Sequence, residues 1–299
     1  MARIIAAGVA VIDFVMQLDE MPSRAEKYRA RDAAVVGGGC AATAMVAAAR
    51  LGGQAALAAR LGEDAVGDMI LRGLEAEGVD CALVRRFAGK RSSFSTVIVS
   101  AAGERQIVNF RDMELSFDAG WLREAELAPF DAALGDTRWP QGAAALLRLA
   151  RERGVPGVLD AEAPVMEAAD ALAAASHVAF SAQGLRDFTG LPDLRGGLGA
   201  AAARLDAWVC VTDGGNGVYW MDAGEIRHTP AFAVETVDTL GAGDVWHGAF
   251  ALGLGEGMGE DRAIRFASAA AAIKCSRFGG RDGAPRRAEV DDFLRARAA

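Results

Sequence analysis

Asp238-Thr239-Leu240-Gly241-Ala242-Gly243-Asp244 follows an apolar stretch and runs directly into a helix-forming segment. Glycines at 241 and 243, with only Ala242 between them, leave backbone N–H groups uncovered at a helix N-terminus. The positive end of the helix dipole adds to those donors, so the turn can hold an oxyanion. A transferring phosphoryl group carries its charge on peripheral oxygens and is stabilised by fixed donors of this kind. Asp244 lies in the first helical turn, beside the pocket, where a carboxylate can accept the proton of an attacking hydroxyl. A plain helix cap would also use an Asp and a Gly, but the seven residues together are more specific than a cap.

Outward from this junction, short apolar strands alternate with helices. Strands are expected at 131–135, 157–160, 177–180 and 207–212, separated by helices near 141–153, 166–175 and 196–204. Upstream, residues 3–12 read as a first buried strand, and a helix over 40–51 is stopped by Gly52-Gly53. A strand at 55–60 and a helix at 65–77, ended by Gly78, come next. Helices at about 242–255, 260–275 and 287–297 close the chain. This order predicts an α/β fold, a central and mainly parallel sheet flanked by helices. Two segments differ, at about 14–36 and 91–113. Runs such as Phe94-Ser95-Thr96-Val97-Ile98-Val99 alternate with period two, as half-exposed strands do. Gly103 would turn the second segment into a hairpin. Residues 1–299 thus read as a single domain with a small β-sheet lid inserted in its core.

Composition narrows the partners. The 299 residues carry a formal net charge of −8, with no basic cluster longer than Arg85-Arg86 or Arg286-Arg287. That argues against nucleic acid or an anionic membrane as the partner, while a local cationic pocket remains compatible. Ala is abundant enough to raise helix propensity almost everywhere, so Ala-rich stretches are weak signals. The four cysteines (Cys40, Cys81, Cys210, Cys275) form no CxxC pair and read as buried free thiols of a reducing cytosol. Asp13 interrupts the apolar N-terminus, and no apolar run approaches the length of a membrane helix. A soluble, cytoplasmic protein is the expectation.

The stretch Asp238–Asp244 resembles the second signature of the PfkB, or ribokinase-like, family of carbohydrate kinases. Gly37-Gly38-Gly39-Cys40-Ala41-Ala42-Thr43 resembles its first, and the order of elements matches along essentially the whole chain. The resemblance implies ATP and Mg²⁺, a Rossmann-like core, and Asp244 as the base that activates a sugar hydroxyl. It implies Gly241, Ala242 and Gly243 as the anion hole. Thr212, Gly214 and Gly217, in Thr212-Asp213-Gly214-Gly215-Asn216-Gly217, would line the nucleotide phosphates, although Gly-Gly-Asn-Gly also reads as a plain hairpin turn. Ser268 and the segment Lys274–Gly280 would surround the adenine, where some members also bind a monovalent cation such as K⁺. Gly38, Gly39 and Asp13 would hold substrate hydroxyls. Two departures stand out. Ser181-Ala182-Gln183-Gly184 replaces the family's Asn-x-x-Glu, and Thr43 stands where many sugar kinases carry Asn.

Lys27, Asn109 and Arg138 are unusual: two cations and an amide, two of them in lid segments and one after a core strand. Each has an ordinary surface reading; converging together they would suit a tetrahedral anion. Met21-Pro22-Ser23-Arg24-Ala25-Glu26-Lys27-Tyr28, Asp136-Thr137-Arg138-Trp139 and the segment 265–281 are similar to the branch of the family that phosphorylates 6-deoxy-6-sulfofructose in sulfoquinovose degradation. That resemblance implies a sulfonate under Lys27, Asn109 and Arg138, with the C1 hydroxyl at Asp244. Kinases for fructose, fructose 6-phosphate, tagatose 6-phosphate, ribose or a nucleoside are the alternatives, and a non-catalytic sugar- or nucleotide-binding regulator is the remote one. Apolar lid faces also suggest a homodimer through the lid.

Overall fold

The computed structural model describes residues 1–102, 104–125 and 127–297. The chain opens with β1 (Arg3–Ala7), enters the lid as β2 (Val11–Leu18) and returns as β3 (Asp32–Gly38). It continues through α1 (Cys40–Arg50), β4 (Gln54–Gly62), α2 (Ala65–Ala76) and β5 (Asp80–Phe87). A second excursion, β6 (Phe94–Ser100) and β7 (Arg105–Phe110), precedes the short α3 (Gly120–Glu124). Then come β8 (Ala132–Asp136), α4 (Pro140–Glu152), β9 (Gly157–Ala161), α5 (Ala169–Ala174) and β10 (His177–Ser181). α6 (Ala182–Thr189), α7 (Leu194–Arg204), β11 (Trp208–Thr212) and the hairpin β12 (Val218–Asp222) and β13 (Glu225–Thr229) follow. α8 (Ala242–Gly255), α9 (Glu260–Cys275) and α10 (Arg287–Arg295) end the fold.

The large sheet is 9-stranded in the order β13-β12-β11-β10-β9-β8-β1-β4-β5, parallel from β11 to β5, with β12 and β13 antiparallel at one edge. Its central strands are continuous apolar runs because helices cover both faces. One core layer packs Met45, Leu57, Phe250 and Ile264; the other packs Leu122, Leu146, Val178 and Phe180. From β1 the chain builds outward one way through β4 and β5, and the other way through β8 to β11. The reversal between β1 and β8 opens a crevice at the carboxyl ends of the strands, where α/β sheets bind ligands. α8 lies so close on α1 that a Cβ at Gly248 would stand 2.1 Å from the Ala44 carbonyl oxygen. That contact sets the start of α8 beside the start of α1.

The first strand is shorter than the sequence suggests. It ends at Ala7, and the chain turns through Gly8–Ala10 into the lid, because Gly8 N–H bonds the Ala58 carbonyl and Val9 N–H bonds Asp136 Oδ2 at 2.7 Å. The lid is a separate 4-stranded sheet, β3-β2-β6-β7. β6 and β7 do form the expected hairpin, although Gly103 itself lies outside the described residues. β5, α3, α6 and the β12–β13 hairpin have no clear periodicity and emerge only in the fold.

Candidate active site

Four elements meet at the crevice. α8 is preceded by Gly241 as its cap, whose φ of 75° starts the helix abruptly and turns the preceding loop back. Among the described residues nothing accepts from the N–H groups of Gly241, Gly243 or Asp244, whereas Ala242 N–H reaches the Thr239 carbonyl at 3.2 Å. Free donors are what an anion hole needs, and here they come from the residues flanking Ala242. The loop is braced from behind. Asp238 Oδ1 accepts from Leu240 N–H at 2.9 Å, and its Oδ2 accepts from Gly280 N–H at 2.9 Å. Lys274, wholly buried, donates to Asp238 Oδ2 at 3.0 Å and to its carbonyl at 2.7 Å. These contacts outweigh burial and hold the Asp238 carboxyl below its ordinary range.

Asp244 faces a cluster of acids. Burial first, then the Asp160 and Asp136 carboxylates, push it up to about 7, against the pull of His247 and of a hydrogen bond from the Cys40 thiol. Burial and the surrounding acids push the Cys40 thiol well above its ordinary range, so it stays protonated and donates. Asp160, on β9, is buried, and burial with Asp136 and Glu162 pushes it up to about 8 against Arg138. His247, one turn beyond Asp244, has Nδ1 2.8 Å from the Gly243 carbonyl and Nε2 3.6 Å from Asp160 Oδ1. Asp136 ties the floor together: its Oδ2 accepts from Val9 and Ala41, its Oδ1 from Arg138 and Trp139. Cys40, Asp160 and Asp244 bring ligand atoms within 4.8 Å of one another. One of those atoms is a protonated thiol, so the set does not make a protein-borne Mg²⁺ cage of oxygens.

The sugar side is built by the lid and the glycine run. Asp13 on β2 packs its carboxylate where a Cβ at Gly38 would stand 2.2 Å from Oδ2, and Gly39 turns at φ 94° against the Val9 carbonyl. Val36, Asp13, Ser95 and Asn109 are in register across β3, β2, β6 and β7, so all four sit on one lid face. Burial raises the Asp13 carboxyl above its ordinary range, and a hydrogen bond from Ser95 and the charge of Arg281 only partly counter it. Thr43 is buried on α1, its Cγ2 3.5 Å from where a Cβ on Gly241 would stand. Arg138 lies close enough to lower Asp160 and Cys40, and its Nη1 donates to the Ala163 carbonyl at 2.8 Å. Lys27 is placed otherwise: it is exposed in the loop joining β2 and β3 and makes no hydrogen bond or ion pair with a described residue. That loop has no ladder to aim its side chains, so strand register and the floor position Asn109 and Arg138, and no such contact positions Lys27.

On the other side of α8 is a cavity of about 500 Å³, lined among others by Thr212, Gly214, Gly217, Gly243 and Ser268. Trp246 also lines it, and its indole N–H donates to Ser268 Oγ at 3.2 Å. The residues 213–217 both turn β11 into β12 and wall the cavity. Sequence reasoning missed Cys40, Asp160 and His247 beside the base, and Arg60, Arg111 and Arg281 on the sugar side. His247 sits at the third position after Asp244, which was a usable signal. The arginines carried none, since nothing local distinguishes them from surface arginines.

A fold with a reversal crevice, an uncovered helix N-terminus and a half-buried carboxylate beside it defines a phosphotransferase architecture. Residues 1–287 match the pfkB family of carbohydrate kinases, and the chain belongs to that family. Ribokinase of Bacillus subtilis (strain 168) is 28% identical over 98% of this chain and 100% of its own length. The ATP-dependent ribose-1-phosphate kinase of Halopiger xanaduensis is 30% identical over 99% of both. A solved ribokinase-type structure from Agrobacterium tumefaciens superimposes with a TM-score of 0.91 at 37% identity, covering 99% of this chain and 98% of that one. The protein is an ATP-dependent phosphotransferase acting on a carbohydrate, and Mg²⁺ is the usual companion of ATP in such kinases. No helix among the described residues is long and apolar enough to cross a membrane.

Proposed function

We propose that the protein transfers the γ-phosphoryl group of ATP to the C1 hydroxyl of 6-deoxy-6-sulfofructose, giving 6-deoxy-6-sulfofructose 1-phosphate and ADP. The observation that carries this reading is Asn109 on the register row of Asp13, together with Arg138 on the floor. An amide on the Asp13 row, and a guanidinium near Asp160 with no carboxylate ion pair among the described residues, support an anion bound beside Asp244. A neutral sugar would leave that guanidinium without an anion, whereas a sulfonate is anionic at every working pH. Asp13 and the Gly38–Gly39 backbone hold the sugar hydroxyls. Asp244 accepts the C1 proton as the oxygen attacks phosphorus. The N–H groups of Gly241 and Gly243 receive the oxygens on which charge gathers. ATP occupies the cavity of Thr212, Gly214, Gly217 and Ser268, and Mg²⁺ enters with the triphosphate, whose charge it neutralises. Lys274 fills, with its own ammonium, the segment for which the family resemblance implied a monovalent cation.

The same family position supports a second reading, a kinase for ribose, because several relatives are ribokinases. The Halopiger relative is named for a phosphorylated sugar, so this scaffold also serves anionic substrates. ADP release measured with sulfofructose, fructose, fructose 6-phosphate and ribose separates these readings. Sulfofructose should give the highest kcat/KM, and equal or faster turnover of fructose 6-phosphate or ribose would sink the sulfonate reading. A homodimer through the lid is part of the proposal. Val35, Met16 and Val108 are exposed on neighbouring registers of the lid's outer face, an apolar surface suited to a second copy. Light scattering that returns a monomer would remove it.

A further inference from the structure

Arg60, at the carboxyl end of β4, and Arg111, just past β7, are half-buried and held next to each other without a carboxylate partner among the described residues. Other half-buried arginines do have carboxylate partners. Arg50 meets Glu77 at 2.7 Å and Arg86 meets Asp68 at 2.9 Å. Here the nearby acids are engaged otherwise. Asp136 gives both oxygens to backbone N–H groups, and Asp112 turns its carboxylate to the N–H groups of Arg91 and Glu114. Burial, then the charge of Arg111, lowers Arg60 to about 10. Two like charges kept together in a partly dry place are unfavourable unless an anion joins them.

Both side chains are aimed by their surroundings. Arg60 lies over the rings of Phe117 (4.3 Å) and Trp139 (5.1 Å), and its Nη1 donates to the Ser116 carbonyl at 3.0 Å. Its Nε and Nη2, the edge that grips an oxyanion two-handed, have no acceptor among the described residues. Arg111 donates through Nη2 to the carbonyl of Arg138 at 2.7 Å, which joins it to the residue already assigned to the substrate. Between them is a cavity of about 20 Å³, closed by Gly8, Val9 and Ser93. That volume admits an oxygen or so, not a sugar ring. It abuts the sugar floor, since the Val9 carbonyl is the group against which Gly39 turns.

We infer that Arg60 and Arg111, with the Ser93 hydroxyl, form the seat for the anionic terminus of the sugar, the oxyanion entering beside Arg138 while the carbon skeleton stays over Gly38 and Gly39. The inference rests on the reading of the substrate as an anionic sugar, and it names as specificity determinants two arginines outside the set of Lys27, Asn109 and Arg138.

The test is the ratio of kcat/KM for sulfofructose over fructose, measured on the full chain as wild type, Arg111→Gln, Arg111→Lys and Arg138→Ala. Arg111→Gln should lower the ratio about 10- to 100-fold, with Arg111→Lys recovering part of it. Inorganic sulfate should compete with the sugar in the wild type and lose potency in Arg111→Gln by a similar factor. Arg60→Met should act the same way, but Arg60 is packed between aromatic rings and its loss also disturbs the fold, so Arg111→Gln is the deciding variant. If Arg111→Gln keeps the wild-type ratio while Arg138→Ala lowers it, the substrate reading stands and this seat is overturned. If the wild type shows no preference for the anionic sugar, the substrate reading fails and the seat falls with it.

Discussion

The loop before α8 and the lid form opposite walls of one crevice and are held in different ways. Asp238 is fixed by a buried ammonium and by the N–H groups of Leu240 and Gly280, so the anion hole is braced by short, buried contacts. The lid presents Asp13 and Asn109 through strand register, on a sheet whose outer face exposes Val35, Met16 and Val108. The first wall must not move as charge develops, because preorganised donors lose their advantage if they reorganise. The second is held by strand register and by its buried inner residues Val15, Val36 and Val97. The reaction class is read from the first wall; the proposed substrate contacts come from the lid and from the core floor together.

That contrast can be broken or sharpened by substitution. Asp244→Asn should have the largest effect, a fall in kcat of about 10³-fold or more with nucleotide binding largely kept. Near-normal turnover by ADP release would take Asp244 out of the role of base. Lys274→Met should come next. It removes a wholly buried ammonium from the Asp238 carboxylate and should cost about 3–5 kcal/mol in denaturant unfolding. On the proposal that the Lys274 ammonium takes the place of a monovalent cation, replacing K⁺ by Na⁺ should change kcat less than about twofold. Strong K⁺ activation would mean that the ammonium does not fill that place.

The smallest effect concerns pH. Asp244 is pushed up to about 7 and must be ionised to accept a proton, so kcat/KM should rise as pH increases through 7 and level off above it. Cys40→Ala removes a donor that favours the carboxylate, so the rise should move to higher pH, with a loss of about two- to threefold at pH 6.5. Asp160→Asn removes a neighbouring acid and should move it to lower pH. Identical profiles for both variants would show that the acid cluster does not set the base's working range.

Much of the frame was legible without coordinates. The α/β alternation, α1, α8 and α9, and the two lid segments follow from periods of 3.6 and 2, which local sequence encodes directly. β5, α3 and α6 were not, because they are short, and only neighbours on the sheet and its flanking helices stabilise them. The turn at Gly8–Ala10 reads as continuous strand in the sequence, since the hydrogen bonds that end β1 come from Ala58 and Asp136, far away along the chain.

The candidate site divides the same way. Asp238 to Asp244 could be read from its own seven residues, because a helix start with small residues is a local event and its donors need no distant partner. Asp13, Thr212, Gly214, Gly217 and Ser268 were placed by resemblance. The surroundings that tune Asp244 bring together α1, β9 and α8, and the pairing of Arg60 with Arg111 joins β4 to the end of the lid. The sequence by itself determined the type of fold and the anion-binding turn, both products of short-range backbone geometry. Only the tertiary structure decided which acids press on Asp244 and which half-buried arginines stand beside each other. Electrostatic interactions depend on distance in space, and distance along the chain does not report it.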